Sequence, residues 1–458
     1  MRLFEFVGLR WACPMRNSAM QRAFVHCASC IVHCIGPWER ASRVRLRARW
    51  VLPIVSQPIH DGWVDILDGR ISGLGQGSGD DADGDERDLG HVALMPGLVN
   101  AHTHLELSYL DGAVPPAYRF TDWIREVMAS RRAQPDPLAP PIVDAARNAI
   151  AALHASGAAA VGDISNTLVT VPLLNDAPLA AAVFLEVLRF RASEAEAAFD
   201  AAVHRVDGVV PASHVRIWPA PHAPYSVSPR LFAAIREWLS DDPIARTSVH
   251  LAESVQETEL LQHGDGPFRD LLQDVGAWDA EWMPPGCGSV EYLERLQFLG
   301  PRTLAVHGVQ MDTADLTRLA RSGATLVTCP RSNRHVGVGD PPIARFYESA
   351  VPVAIGTDSL ASAPDLGVFA EVAAMRALAP AVPASRLLDS ATLVGARALG
   401  CAARLGSIEI DKNAALIAVE VPPGVADVEE YLVSGIDPAQ IRWAASARTP
   451  ARDARWWN

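Results

Sequence analysis

The chain almost lacks lysine. Among its 458 residues the only one is Lys412, and every other Lys/Arg-type side chain is arginine. Any chemistry that needs a lysine amine therefore has a single candidate. Positive charge is not in excess either: 40 basic residues face 53 acidic ones, a formal net charge of −13. That argues against a nucleic-acid partner, which would call for a basic face. No apolar run reaches the ~18 residues of a membrane span. Met1 to Arg22 lacks the apolar stretch and small-residue cleavage site of a signal peptide. Cysteine is scarce and uneven, with four of the seven (Cys13, Cys27, Cys30, Cys34) in the first 34 residues. Cys27-Ala-Ser-Cys30 is a C-x-x-C without a second pair, set in Arg-rich, aperiodic sequence. We read residues 1–43 as a poorly ordered N-terminal extension, not as a metal or redox site. Cys287, Cys329 and Cys401 lie far apart and read as reduced thiols of a cytoplasmic protein.

What is present is an ordinary folded composition, 49% hydrophobic and 20% charged. Val44 to Leu52 alternates arginine with apolar residues, the period-two mark of a half-buried strand. Gly62 to Gly75 reads as a hairpin turning at Asp68-Gly69, and Asp80 to Asp88 as an acidic loop. Then the rhythm changes. Apolar runs at His91–Leu98, Ala158–Ile164, Ala181–Val187, Val215–Pro219, Thr247–Leu251, Thr303–Val306, Ala324–Thr328 and Val351–Ile355 alternate with helix-like stretches. Strand runs without strong alternation suit a parallel sheet covered on both faces, and eight such units suit a (β/α)8 barrel. Leu405 to Pro422 reads as a further hairpin. The expectation is an α/β protein: a TIM-like (β/α)8 barrel over 96–399, with a small β-sandwich domain built from both chain ends, 44–95 and 400–458. Gly264–Gly288 is longer than a normal connection and is a candidate lid or oligomer contact.

Metal-type side chains fall at the C-terminal ends of the expected strands, where barrel active sites are built. His102-Thr-His104 follows the first barrel strand, and alternate residues on a strand point the same way. Strand five ends Ser248-Val-His250-Leu-Ala-Glu253, strand six ends at His307, and strand eight ends Gly356-Thr-Asp358-Ser. Any one of these could be a satisfied core histidine or a capping aspartate. Their joint placement is hard to explain that way.

Pro96-Gly-Leu-Val-Asn-Ala-His-Thr-His104, His250-Leu-Ala-Glu253, His307 and Gly356-Thr-Asp-Ser359 together resemble the amidohydrolase superfamily, in its branch of aminohydrolases acting on purine nucleosides and triazines. Within the branch, His104-Leu-Glu106-Leu-Ser108, Phe120-Thr-Asp-Trp123-Ile and Pro221-His222-Ala-Pro-Tyr225-Ser are similar to the aminodeoxyfutalosine deaminases of menaquinone biosynthesis. The resemblance implies that His102, His104, His250 and Asp358 hold one divalent metal, with Zn2+ the leading choice and Fe2+ or Mn2+ as alternatives. Many superfamily members bridge two metals with a carboxylated lysine after strand four. Here strand four ends Pro219-Ala-Pro-His222, and the single lysine lies in the C-terminal sheet, so a mononuclear site is expected.

The implied catalytic residues are Asp358, which takes a proton from the attacking water; His307, which orients and stabilises the hydroxide; and Glu253, which protonates a ring nitrogen and relays a proton to the leaving amine. The substrate-binding candidates are less sharply marked. Trp123 could stack on the ring or simply pack its helix. Glu106 could accept ribose hydroxyls or sit in a salt bridge. His222 could contact the sugar or the far end of the substrate, and Arg189 could pair with a carboxylate such as the benzoate of aminodeoxyfutalosine. Arg331 and Asn333 are weaker candidates of the same kind, and Ser359 and Ser362 read as polar lining. The partner is then a small molecule, and a homodimer is compatible with the resemblance. Competing readings are a deaminase of adenosine, S-adenosylhomocysteine or methylthioadenosine, a chlorohydrolase or cyclic-amide hydrolase, and a catalytically dead barrel.

Overall fold

In a computed structural model, residues 43–77, 84–117, 119–445 and 456–457 are described. Residues 1–42, with the C-x-x-C, lie outside the described residues, as do 78–83, which contain the start of the expected acidic loop.

The two chain ends build a seven-stranded sheet. Its strands are β1 (Arg43–Val51), β2 (Ile59–Leu67), β3 (Arg70–Gln76), β4 (Asp85–Asp88) and β5 (Val92–Pro96) from the N-terminal side. Much later in the chain come β14 (Leu416–Glu420) and β15 (Ile441–Ala445). The β2–β3 hairpin turns at Asp68 and Gly69, both at positive φ (50° and 76°), as a two-residue primed turn demands. Arg45, from the alternating stretch, is buried rather than solvent-facing. It forks onto Asp65, with Nε to Oδ1 at 2.7 Å and Nη2 to Oδ2 at 3.0 Å, and lies over the Trp63 ring.

Four expectations need correction. The described end strands form one mixed sheet, not a two-sheet sandwich. It curls until Ile71 N donates to Lys412 O and Ala414 N to Gly69 O, so a single sheet encloses its own apolar core of Leu46, Val64, Leu94 and Leu416. Residues 85–88 are a strand pairing parallel to β1, not loop. His91–Leu98 is not a barrel strand: β5 belongs to the end sheet, and the barrel begins after Gly97 with β6 (Leu98–Thr103). Nor does Leu405–Pro422 form a hairpin, because β14 pairs with β5 and with β15 instead.

The barrel is two parallel four-stranded sheets. One comprises β6, β7 (Ala158–Ser165), β8 (Ala180–Val187) and β9 (Val215–Pro221). The other comprises β10 (Thr247–Leu251), β11 (Thr303–His307), β12 (Thr325–Thr328) and β13 (Val353–Ile355). They are joined at their C-terminal ends. His250 N donates to His222 O at 2.9 Å, and Thr357 N and Asp358 N both donate to His102 O at 3.0 and 3.1 Å. The strand interiors are almost wholly buried and apolar, as expected for strands covered on both faces. The hydrogen bonds that join the two sheets are thus made by candidate site residues, His102, His222, His250 and Asp358.

Candidate active site

Three strand ends leave the β region at the same rim. Ala252, His307 and Asp358 have φ of 52°, 78° and 58°. Left-handed backbone is uncommon outside glycine and tends to persist where the surroundings over-determine it, often at functional sites. Here it turns the chain off the barrel while His307 and Asp358 stay aimed at the axis.

His102, His104 and His250 converge so that one ring nitrogen of each lies within 4.8 Å of the others. His250 Nδ1 faces the carbonyl oxygen of His222 at 2.9 Å. A carbonyl only accepts, so Nδ1 carries the proton and Nε2 presents a lone pair. That lone pair points at His104 Nε2, 3.3 Å away. His102 is fully buried with no hydrogen-bond partner on either ring nitrogen. Burial, then the neighbouring His250, His104 and His307, hold its basicity well below the usual histidine range. A buried imidazole with no hydrogen-bond partner on either ring nitrogen, converging with two further ring nitrogens within 4.8 Å, is what a divalent cation requires, so this donor set fits one. Asp358 Oδ1 stands 3.6 Å from His104 Nε2, and its Oδ2 accepts from Ser332 Oγ at 2.6 Å. Burial works to raise the Asp358 carboxyl, but His104, His307, Ser332 and His250 together hold it below its usual range, as a carboxylate.

Glu253 sits beside this cluster, 3% exposed. Burial, with the carboxyls of Asp358 and Glu257 nearby, pushes its pKa well above the usual range, which favours its protonated form. Its Oε1 is 3.6 Å from His307 Nε2. Asn333 Nδ2 donates to His307 Nδ1 at 2.9 Å, which leaves the His307 proton on Nε2. Burial lowers the His307 pKa to about 3. Glu257 accepts from the backbone N–H groups of Ala252 and Glu253 at 3.0 and 3.2 Å, fixing the turn that carries Glu253.

A cavity of about 870 Å³ opens over the cluster, lined by His104, Trp123, His222, Glu253, His307, Asp358 and Ser359 among others. Trp123, on helix Phe120–Ala133, both lines the cavity and stacks on Phe120, so the wall and packing readings hold together. Helix Pro267–Asp274, from the expected lid segment, contributes Phe268, Leu271 and Leu272 to the roof. His222 lines the cavity, its Nδ1 2.6 Å from Ser226 Oγ, and burial lowers its pKa to about 4. Arg189 is exposed at the mouth, with Nε 3.6 Å from Glu194 Oε2.

Glu106 is not where a substrate would meet it. It is buried and accepts from Arg131 Nη2, Ser165 Oγ, Thr167 N and Thr167 Oγ1 at 2.7–3.1 Å. Arg331 is likewise taken up, by Glu371 and Asp365, and Asn333 by His307. Ser362 Oγ lies 2.8 Å from Ser332 Oγ, whose proton goes to Asp358, and so stands behind that carboxylate. Among the cavity residues that went unread in the sequence is Glu186, the single acid in the buried strand β8. A carboxylate near the end of an otherwise apolar barrel strand is the signal that could have found it. Burial works to raise its carboxyl, but His222, His250, His104 and the Asn166 amide outweigh this and leave it below its usual range.

Residues 93–439 match the model of the amidohydrolase family. The chain therefore belongs to the amidohydrolase family and is a hydrolase acting on carbon–nitrogen bonds. Among its relatives is an aminodeoxyfutalosine deaminase of Deinococcus radiodurans, 32% identical over 326 residues, which are 68% of this chain and 74% of that one. The fold matches a Helicobacter pylori aminofutalosine deaminase solved with methylthio-coformycin, at a TM-score of 0.75 and 25% identity over 87% of this chain and 99% of that one. It also matches a Xanthomonas campestris adenosine deaminase with bound zinc, at a TM-score of 0.74 and 26% identity over 90% and 94%.

Proposed function

We propose that this protein is a metal-dependent hydrolytic deaminase that releases ammonia from C6 of an adenine-type nucleoside, with 6-amino-6-deoxyfutalosine, of menaquinone biosynthesis, as its substrate. The observation that carries the reading is the placement of Glu253: a buried carboxyl, its pKa raised by burial, lining a cavity of about 870 Å³ beside a three-histidine, one-aspartate cluster. His102, His104, His250 and Asp358 would hold one divalent ion, zinc by the chemistry of the donor set. Bound there, it would supply Lewis acidity that makes water nucleophilic near neutral pH.

The side chains supply the rest. Asp358, held ionised, accepts a proton from the attacking water. His307, neutral with its proton on Nε2, donates a hydrogen bond toward the developing hydroxide and keeps it oriented. Glu253 donates its proton to the ring nitrogen next to C6, which makes C6 electrophilic. As the carbon becomes tetrahedral, Glu253 takes up the remaining hydroxyl proton and passes it to the amino group; the C6–N bond breaks, ammonia leaves, C6–O becomes a carbonyl, and the proton held by Asp358 returns to Glu253. Trp123 walls the ring, and Arg189 at the mouth stands ready for an anionic tail.

The test is ammonia release by the zinc-loaded protein on 6-amino-6-deoxyfutalosine, adenosine and S-adenosylhomocysteine. Preference for the first is expected. A preference for S-adenosylhomocysteine of more than about tenfold, or about 1.4 kcal/mol in barrier, would move the assignment to a thioether nucleoside. Silence on all three, with zinc bound, would discard the nucleoside reading.

A further inference from the structure

Glu186 has one oxygen engaged and one free. Its Oε2 accepts from the Asn166 side-chain amide at 2.8 Å, while its Oε1 accepts no hydrogen bond although the side chain is only 8% exposed. The Asn166 amide is turned this way by Arg131, which donates to Asn166 Oδ1 at 2.6 Å and to Glu106 Oε1 at 3.1 Å. A chain from Glu106 through Arg131 and Asn166 therefore fixes the Glu186 carboxylate in the cavity wall with one oxygen, Oε1, lacking a hydrogen bond. A buried carboxylate oxygen without a donor is destabilising unless a ligand or water supplies one.

His222 faces it. Ser226 Oγ donates to Ala223 O at 3.2 Å, so the His222 Nδ1–H donates to Ser226 Oγ and His222 Nε2 is left with a lone pair. That Nε2 lies 4.0 Å from Glu186 Oε1. Two acceptors face each other across the gap, and the one donor beside them, His250 Nδ1 at 3.5 Å from Glu186 Oε1, gives its proton to the closer His222 carbonyl. Nor does Glu186 serve to anchor His250, whose Nδ1 proton already goes to the His222 carbonyl. Two neighbouring hydroxyl groups satisfy such a pair, each donating to one acceptor.

Resting on the nucleoside reading above, we propose that Glu186 is a specificity-determining residue that, opposite His222, accepts a hydroxyl of the ribose 2′,3′-diol and selects ribonucleosides over deoxynucleosides. Glu106, the acid expected to do this, holds the network behind it.

The experiment takes whichever of 6-amino-6-deoxyfutalosine, adenosine and S-adenosylhomocysteine the wild type deaminates fastest, with its 2′-deoxy and 3′-deoxy analogues. It measures kcat/KM in wild type and in Glu186→Gln, and the bound metal in both. Glutamine keeps the acceptor for Asn166 and puts an NH2 where the free oxygen was. The expected wild-type preference for the ribonucleoside is about tenfold or more, falling toward unity in the variant, mainly through loss on the ribonucleoside, with metal content unchanged. Equal losses on ribo- and deoxy-substrates, loss of metal, or no wild-type preference would each overturn the proposal. Absence of deamination on every nucleoside in the wild type would instead strike the reading on which it rests.

Discussion

Replacing Glu106 with alanine separates a residue that holds the fold from one that holds the substrate. Its side chain is 4% exposed and accepts from Arg131, Ser165 and both donors of Thr167. The Arg131 bond contributes least, because that side chain is 34% exposed and can rehydrate. Ser165 is fully buried and cannot. Hydrogen bonds to a charged partner contribute ~1.5–3 kcal/mol each and are not additive, so Glu106→Ala is expected to destabilise by about 3–5 kcal/mol. Glu106→Gln keeps an acceptor for Ser165 and Thr167 while turning an amine toward Arg131, and should lose about 1–2 kcal/mol. Urea unfolding followed by tryptophan fluorescence reads both. An alanine variant as stable as wild type, but with KM raised tenfold, would refute the structural role and return Glu106 to the substrate.

Asp163, buried and accepting from Leu105 N and Thr170 Oγ1, has its pKa raised by burial from 3.8 to about 7. The folded form then binds a proton that the unfolded form releases, so its contribution to stability is full below pH 3.8, falls as pH rises, and is gone above about 7. Asp163→Asn should flatten that part of a stability–pH curve, and an unchanged slope would contradict the assignment. Arg331→Ala leaves Glu371, which is fully buried, without its cation. A loss of about 3 kcal/mol is expected at pH 8, shrinking at pH 5 where the acid can protonate, and denaturant titration at both values checks it. Dialysis against a chelator should remove about one divalent ion per chain and lower the melting temperature, because His102 then has no partner on either ring nitrogen. His102→Ala should show neither ion nor shift.

The convergence of the candidate residues at one rim was legible because strand geometry makes spacing meaningful. His102 and His104 share a strand face, and each further candidate, His250, His307 and Asp358, lies at or just beyond the end of a strand whose apolar run is visible. Pairing partners were less legible. Val92–Pro96 reads as well for a barrel strand as for a strand of the end sheet, and its pairing with β1 on one side and with β14, more than 300 residues later, on the other decides. Side-chain engagement was hardest to read. Glu106 and Arg331 look available in sequence, yet Thr167 and Arg131 occupy the first and Glu371 the second. Glu186, hidden in an apolar run, is a cavity-lining acid left with a free oxygen.

The most direct measurement is ammonia release from 6-amino-6-deoxyfutalosine by zinc-loaded wild type and Glu253→Gln, with metal content measured in both. The account predicts rapid release by wild type and a kcat lower by about 10²–10⁴-fold in the variant, the usual contribution of a general acid–base, at equal metal content. A Glu253→Gln protein that binds the same metal and deaminates at the wild-type rate would contradict it.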